Sequence, residues 1–123
     1  MASANQSQLI IYQKYVDTIE YSYNLLVKFP KSEKFTMVAQ IKDSMLTAIK
    51  LILRANKVYN NHNARLELLN AIDAEISIQK VFVRMSHKLR YISNNNYMEW
   101  SRRLDELGRL LGGWIKTTVG KDL

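Results

Sequence analysis

No cysteine occurs anywhere in the chain. Disulfide frameworks, thiolate nucleophiles and Cys-based zinc sites are excluded together, and the absence suits a reducing compartment. Proline appears once and glycine four times in 123 residues. That is too little punctuation for a turn-rich β-fold and well suited to long helices. Long apolar runs are missing too. Leu9-Ile10-Ile11 is far too short for a signal core or a membrane span, and no basic run precedes it. These absences lead us to expect a soluble, cytoplasmic protein without membrane contact. At this length the chain suits one domain with a real core, residues 1–123.

What is present is helical periodicity. Near the C-terminus Tyr97, Trp100, Leu104, Leu107, Leu111 and Trp114 follow a 3-4-3-4-3 spacing, which draws one stripe down a helix and none down a strand. Gly108 and Gly112 sit one turn apart beside it. Each costs about 1 kcal/mol of helix propensity relative to Ala, which leads us to expect a close backbone neighbour. The first helix is expected from about Ser7 to Lys28, on the stripe Leu9, Tyr12, Val16, Ile19, Tyr23 and Leu26. Ile11, Tyr15, Leu25 and Phe29 widen that stripe beyond what one neighbour needs, so part of it suits either a bundle groove or another subunit. The tyrosines at 12, 15, 21 and 23 are compatible with base stacking, although packing is the commoner use.

Pro30 ends the first helix. Ser32 reads as an N-cap with Glu33 in the first turn, so the second helix is expected over about Glu33–Tyr59. Val38, Ile41, Met45, Ala48, Ile52, Ala55 and Tyr59 keep its rhythm. Asn60-Asn-His-Asn63 is a loop signal short enough to join antiparallel neighbours. The third helix is expected over about Ala64–Ile92, with Leu69, Ile72, Ile76 and Val83 on one line that drifts onto Phe82, Met85, Leu89 and Ile92. Ser93 or Asn94 starts the fourth. Residues 1–7 and 117–123 are expected to fray. Four such segments with short connections describe an all-α, antiparallel, up-down-up-down four-helix bundle.

The chain offers little catalytic chemistry. His62 and His87 are far apart, and no H-x-x-x-H or E-x-x-H pair exists, so no metal, no cofactor and no enzymatic activity are expected. The charges are more informative. Lys and Arg number 18 against 11 acids, a formal +7, which points to a polyanionic partner. No acid occurs between Ser44 and Leu66, where Lys50, Arg54 and Lys57 share one helix face and Arg65 follows the loop. A second acid-free window, Ile76 to Met98, holds Lys80, Arg84 and Lys88 at four-residue steps, with His87 and Arg90 alongside. We take Lys50, Arg54, Lys57, Arg65, Lys80, Arg84, Lys88 and Arg90 as candidate phosphate contacts. No helix-turn-helix or zinc-finger pattern accompanies them, so binding to RNA or DNA should be electrostatic and weakly selective.

Two motifs carry a family resemblance. Lys28-Phe-Pro-Lys-Ser-Glu-Lys-Phe35 resembles a K/R-F-P-[RK]-S-[EQ]-[RK]-[FY] helix entry, followed by Gln40-Ile41-Lys42, similar to a Q-x-I region. Leu104-Asp-Glu-Leu-Gly-Arg-Leu-Leu-Gly-Gly-Trp-Ile-Lys116 resembles an L-D-E-[IL]-G-[RK]-[ML]-L-G-G-W-x-K ending. Both are similar to Avd, the accessory variability determinant of diversity-generating retroelements, from about Ile10 to Lys116. The resemblance implies a four-helix bundle that assembles as a homopentamer, binds the retroelement reverse transcriptase, and contacts template RNA or cDNA without being catalytic. The four-helix proteins encoded in rRNA intervening sequences are the alternative, but their S-I-x-x-N-I-A-E-G segment is replaced by Thr47-Ala-Ile-Lys-Leu-Ile-Leu-Arg54. A protein-interaction scaffold without nucleic-acid binding is a further alternative.

Overall fold

The computed structural model describes residues 2–58 and 60–120, with side chains described from residue 10 onward. Four helices follow one another: α1 (Ala2–Leu26), α2 (Met37–Lys57), α3 (His62–Lys88) and α4 (Asn94–Gly120), with a short 3-10 turn at Lys31–Glu33. α1 packs on α2, α2 on α3, α3 on α4 and α4 back on α1, while diagonal helices share no seam among the described residues. This is the expected antiparallel four-helix bundle. The α2–α3 and α3–α4 seams are the most extensive and α1–α2 the least.

The core follows the expected lines on α2 and α4. Val38, Ile41, Met45, Ala48, Ile52 and Ala55 are buried on α2, and Trp100, Leu104, Leu107, Leu111 and Trp114 on α4. Tyr59, the last residue expected on the α2 line, lies outside the described residues. α1 and α3 differ from expectation, and for one reason. On α1 the buried line is Ile11, Tyr15, Thr18, Ser22 and Leu25, so the residues expected only to widen the stripe lead it. Of the stripe itself Leu26 is buried, Tyr12, Ile19 and Tyr23 are half-buried, Val16 is exposed, and the Leu9 side chain lies outside the described ones. On α3 the line does not drift. It runs Leu69, Ile72, Ile76, Gln79, Val83 and Ser86. Of the residues expected to carry the drift, Met85 and Leu89 are exposed and Phe82 half-buried, while Ile92 is buried beyond the helix; Ile78 and Val81 are exposed as well. Both helices place polar residues inside because those residues satisfy themselves there. Ser22 and Ser86 donate to the carbonyls of Thr18 and Phe82, at 2.6 and 2.8 Å. Tyr15 donates to Gln79 Oε1 at 2.7 Å, Gln79 Nε2 donates to Ser44 Oγ at 3.1 Å, and Ser44 donates to Glu75 Oε1 at 2.8 Å. With partners supplied, burial costs these groups little.

Helix ends also depart from expectation. Ser32 falls in the 3-10 turn, and α2 starts later, at Met37. Glu33 does the capping instead: its carboxylate accepts from Thr36 Oγ1, from the Met37 amide at 3.4 Å and from the Tyr91 hydroxyl at 2.7 Å. His62 and Asn63, expected in a loop, form the first turn of α3, capped by Asn61 Oδ1 accepting from the Ala64 amide at 3.0 Å. α3 stops at Lys88 and not at Ile92. Arg90 takes a left-handed φ of 65°, the Arg90 amide reaches His87 O, and the Tyr91 amide reaches Ser86 O. That pair of bonds is a Schellman close, which usually has glycine at the left-handed position. Ser93 Oγ caps α4 by accepting from the Asn96 amide at 3.1 Å.

Residues 2–7, expected to fray, belong to α1, and 117–120 continue α4 with Thr118 buried one step beyond Trp114. Residues 121–123 lie outside the described residues. Among the described residues the close backbone neighbour expected at the glycines is not found: a Cβ on Gly108 meets only Lys80 Nζ at 3.8 Å, and on Gly112 nothing within 4 Å.

A candidate nucleic-acid interface

The bundle sorts its charge by face. Among the described residues every ion pair uses a residue of α4. Glu99 binds Arg102 through two bonds, Nε–Oε1 at 2.9 Å and Nη2–Oε2 at 2.8 Å, and also takes Arg103 Nε at 2.9 Å. Glu106 joins Arg102 at 3.4 Å and Lys14 of α1 at 3.0 Å. Arg103 lies over the Tyr21 ring, 4.5 Å from its centroid. The guanidinium of Arg102 is the main reason the Glu99 carboxyl is held at about 2, with Arg103 adding to it. Between α1 and α4 a polar cleft of about 310 Å³ is lined by Asp17, Glu20, Tyr21, Asn24 and Arg103. No three His, Asp or Glu side chains among the described residues could hold a metal ion, and no helix is long and apolar enough to cross a membrane.

The α2–α3 side is different. Lys50, Arg54 and Lys57 are exposed on α2, as are Arg84 and Lys88 on α3 and Arg90 just beyond it. None of these six has an ion-pair partner among the described residues. Within each helix these cations lie on an acid-free stretch, since α2 holds one acid, Asp43, in its first half and α3 none after Glu75. The acids that the neighbouring helix brings alongside, Glu67 and Asp73 among them, make no ion pair with them among the described residues. Like charges on one helix are tolerated because each long side chain extends into water, which leaves these cations available to an anion.

Two of the eight candidates leave the set. Arg65 is only 5% exposed. Its Nε donates to the carbonyl of Ala55 at 3.2 Å, and its guanidinium lies 6.0 Å from the Trp114 ring centroid. It closes the C-terminal end of α2, where a cation is favoured by the carbonyl ends of the helix. Lys80 is engaged by Asp105 at 3.0 Å. His87 is also occupied, stacked on Tyr97 at 4.2 Å with Nε2 2.5 Å from Asn94 Oδ1.

Nor do the remaining six form one track. α2 and α3 run in opposite directions, so Lys50, Arg54 and Lys57 sit toward the Asn60–Asn63 turn while Arg84, Lys88 and Arg90 sit at the other end. At 1.5 Å per residue Lys50 and Arg84 are separated by roughly 20 Å along the bundle axis. The end that carries Arg84 also holds cations outside the eight candidates. Lys28, Lys31 and Lys34 are exposed there and make no ion pair among the described residues. Their signal in the sequence is the three-residue step of lysines inside Lys28–Phe35.

The comparisons with known proteins agree with this architecture. The solved structure of a protein of unknown function from the S23 ribosomal protein family of Bacteroides thetaiotaomicron VPI-5482 superposes with a TM-score of 0.80 at 20% identity, covering 89% of this chain and 98% of that one. At that identity the likeness speaks to fold alone. No curated protein matches the chain. The bAvd-like family model matches residues 9–118, almost all of the four helices. The chain therefore belongs to the bAvd-like family.

Proposed function

We propose that the protein is a non-catalytic accessory factor of a diversity-generating retroelement. In this reading it binds the element's reverse transcriptase and holds template RNA or cDNA on its basic faces during mutagenic reverse transcription. The observation that carries the nucleic-acid part is the segregation of charge: acids and cations neutralise one another around α4, while six cations on the α2–α3 side stand exposed with no ion-pair partner. Family membership supports the retroelement setting. The contacts are with phosphates, so they position a strand without reading its bases.

The apolar row of Ile78, Val81 and Met85 on α3 and Leu89 at its end is exposed among the described residues. A row at this spacing suits a helix face that meets a second copy, and the family resemblance implies five copies. Mass measurement in solution tests this: a pentamer is expected, and a monomer at working concentration would remove that part.

Binding of labelled RNA and DNA across a salt series tests the central reading. Weak sequence preference and a steep loss of affinity with salt are expected. Negligible binding to both at low salt would end it. A scaffold acting only through proteins would instead keep its partner after Arg54, Lys57 and Arg84 are replaced by Glu.

A further inference from the structure

The geometry points to a single-strand platform at the end of the bundle that carries the α1–α2 connection: Phe35 stacks on an unpaired base while Lys28, Lys31 and Lys34 hold the flanking phosphates. The two phenylalanines of the Lys28–Phe35 segment have opposite fates. Phe29 is 7% exposed and packs on Tyr91 with ring centroids 5.3 Å apart. Phe35 is 83% exposed, the most exposed of the large apolar side chains described. No packing need within the chain accounts for presenting that ring to water.

The segment is also tied by its own backbone hydrogen bonds. The Glu33 amide bonds Pro30 O at 2.9 Å, the Lys34 amide bonds Lys31 O at 3.1 Å and the Thr36 amide bonds Glu33 O at 3.2 Å. Phe35 is thus presented from an ordered turn, which lowers the entropy a ligand must remove on binding. Glu33, the segment's acid, is half-exposed, and its carboxylate is engaged by Thr36 Oγ1, the Met37 amide and the Tyr91 hydroxyl. Those bonds hold its carboxyl below the usual range, that of Thr36 first. The exposed ring thus shares its segment with three exposed lysines and one acid that already has three partners, and Lys34 Nζ lies 5.4 Å from the Phe35 centroid.

This combination selects its ligand. An aromatic face beside cations matches a chain of bases and phosphates, and stacking tolerates any base. A duplex buries its base faces, so it can meet the lysines but not the ring. A lipid surface calls for a broad apolar face, whereas Phe35 is flanked by Lys34 and Thr36, both exposed. The inference rests on the nucleic-acid reading above and adds to it the strandedness of the ligand and the residues that sense it.

The test compares fluorescence anisotropy of labelled oligothymidylate and of a duplex of equal length across a salt series. Phe35→Ala should weaken single-strand binding about 10-fold and leave both duplex affinity and the salt slope unchanged. Lys31→Gln with Lys34→Gln should flatten the single-strand salt slope by about 1.4. Phe35→Trp should retain affinity, and its fluorescence should be quenched by the oligonucleotide. Because Phe35 is exposed, thermal melts of all variants should match the parent. Equal loss on both ligands, or none, in Phe35→Ala overturns the platform, as does Phe35-dependent binding to phosphatidylserine vesicles without single-strand preference. A parent protein that binds no nucleic acid defeats the underlying reading as well; a parent that binds while Phe35→Ala is unchanged defeats the platform alone.

Discussion

The α1–α4 and α2–α3 sides of this bundle are built from similar helices and treat charge in opposite ways. On the first, Lys14, Arg102 and Arg103 each face a carboxylate at 3.0 Å or less. On the second, Lys50, Arg54, Lys57, Arg84, Lys88 and Arg90 face none among the described residues. The formal excess of +7 is thus not spread over the molecule. Cations without an ion-pair partner gather on the second side, and an excess so placed attracts polyanions more strongly than the same charge scattered.

The largest effect should come from reversing the second side. Arg54→Glu, Lys57→Glu and Arg84→Glu together should reduce RNA and DNA affinity by about 100-fold or more at physiological salt and lower the salt slope by about 3. Neutralising Lys14, Arg102 and Arg103, each already paired, should change affinity far less in the same titration. Similar losses from the two triples would erase the distinction between the sides.

Arg65 sharpens the comparison from inside the basic window. Arg65→Ala should cost about 2 kcal/mol of stability in a denaturant melt, since it strips the bond to Ala55 O and empties space beside Trp114. Its salt slope for RNA should stay that of the parent. A variant of normal stability with a flattened slope would return Arg65 to the interface.

Arg90 separates a cation's charge from the cost of its backbone. A left-handed conformation costs an L-residue about 1–2 kcal/mol, and Arg90 holds φ at 65°. Arg90→Gly should therefore raise stability by about 1 kcal/mol while lowering the salt slope by about 0.9. Opposite movements of stability and affinity are the expected signature in paired melts and binding curves.

The smallest effect belongs to the paired side. The Glu99 carboxyl sits at about 2, against an ordinary 4.5. Its folded value is depressed, so the stabilisation it contributes is full above about 4.5 and is lost as pH falls through about 2. A carboxyl-resolved NMR titration should place its midpoint near 2, and Arg102→Gln should move it upward. The accompanying stability change should be small, because the cluster lies at the surface.

Much of the fold was legible because α2 and α4 bury what a hydrophobicity pattern marks. Trp100 through Trp114 and Val38 through Ala55 went inside where their spacing put them. α1 and α3 were harder to read: Thr18, Ser22, Gln79 and Ser86 occupy core positions, and the pattern alone shifts each stripe onto a neighbouring apolar row. Nothing local marks Gln79 as buried, since its partners Tyr15 and Ser44 are 64 and 35 residues away.

The charge windows tell the same story. Their content is a property of the sequence, and six of the eight candidate cations are exposed. Which cation keeps its charge for a ligand depended on the neighbour each helix brought to it: Ala55 O for Arg65 and Asp105 for Lys80. The sequence by itself determined four helices, their order, the family and the sign of the surface, because periodicity and composition act over one or two turns. Only the tertiary structure decided which polar groups enter the core, that the two basic windows lie at opposite ends, and that Phe35 stands uncovered among lysines. Each of these depends on contacts or directions between separate helices, which local periodicity does not encode.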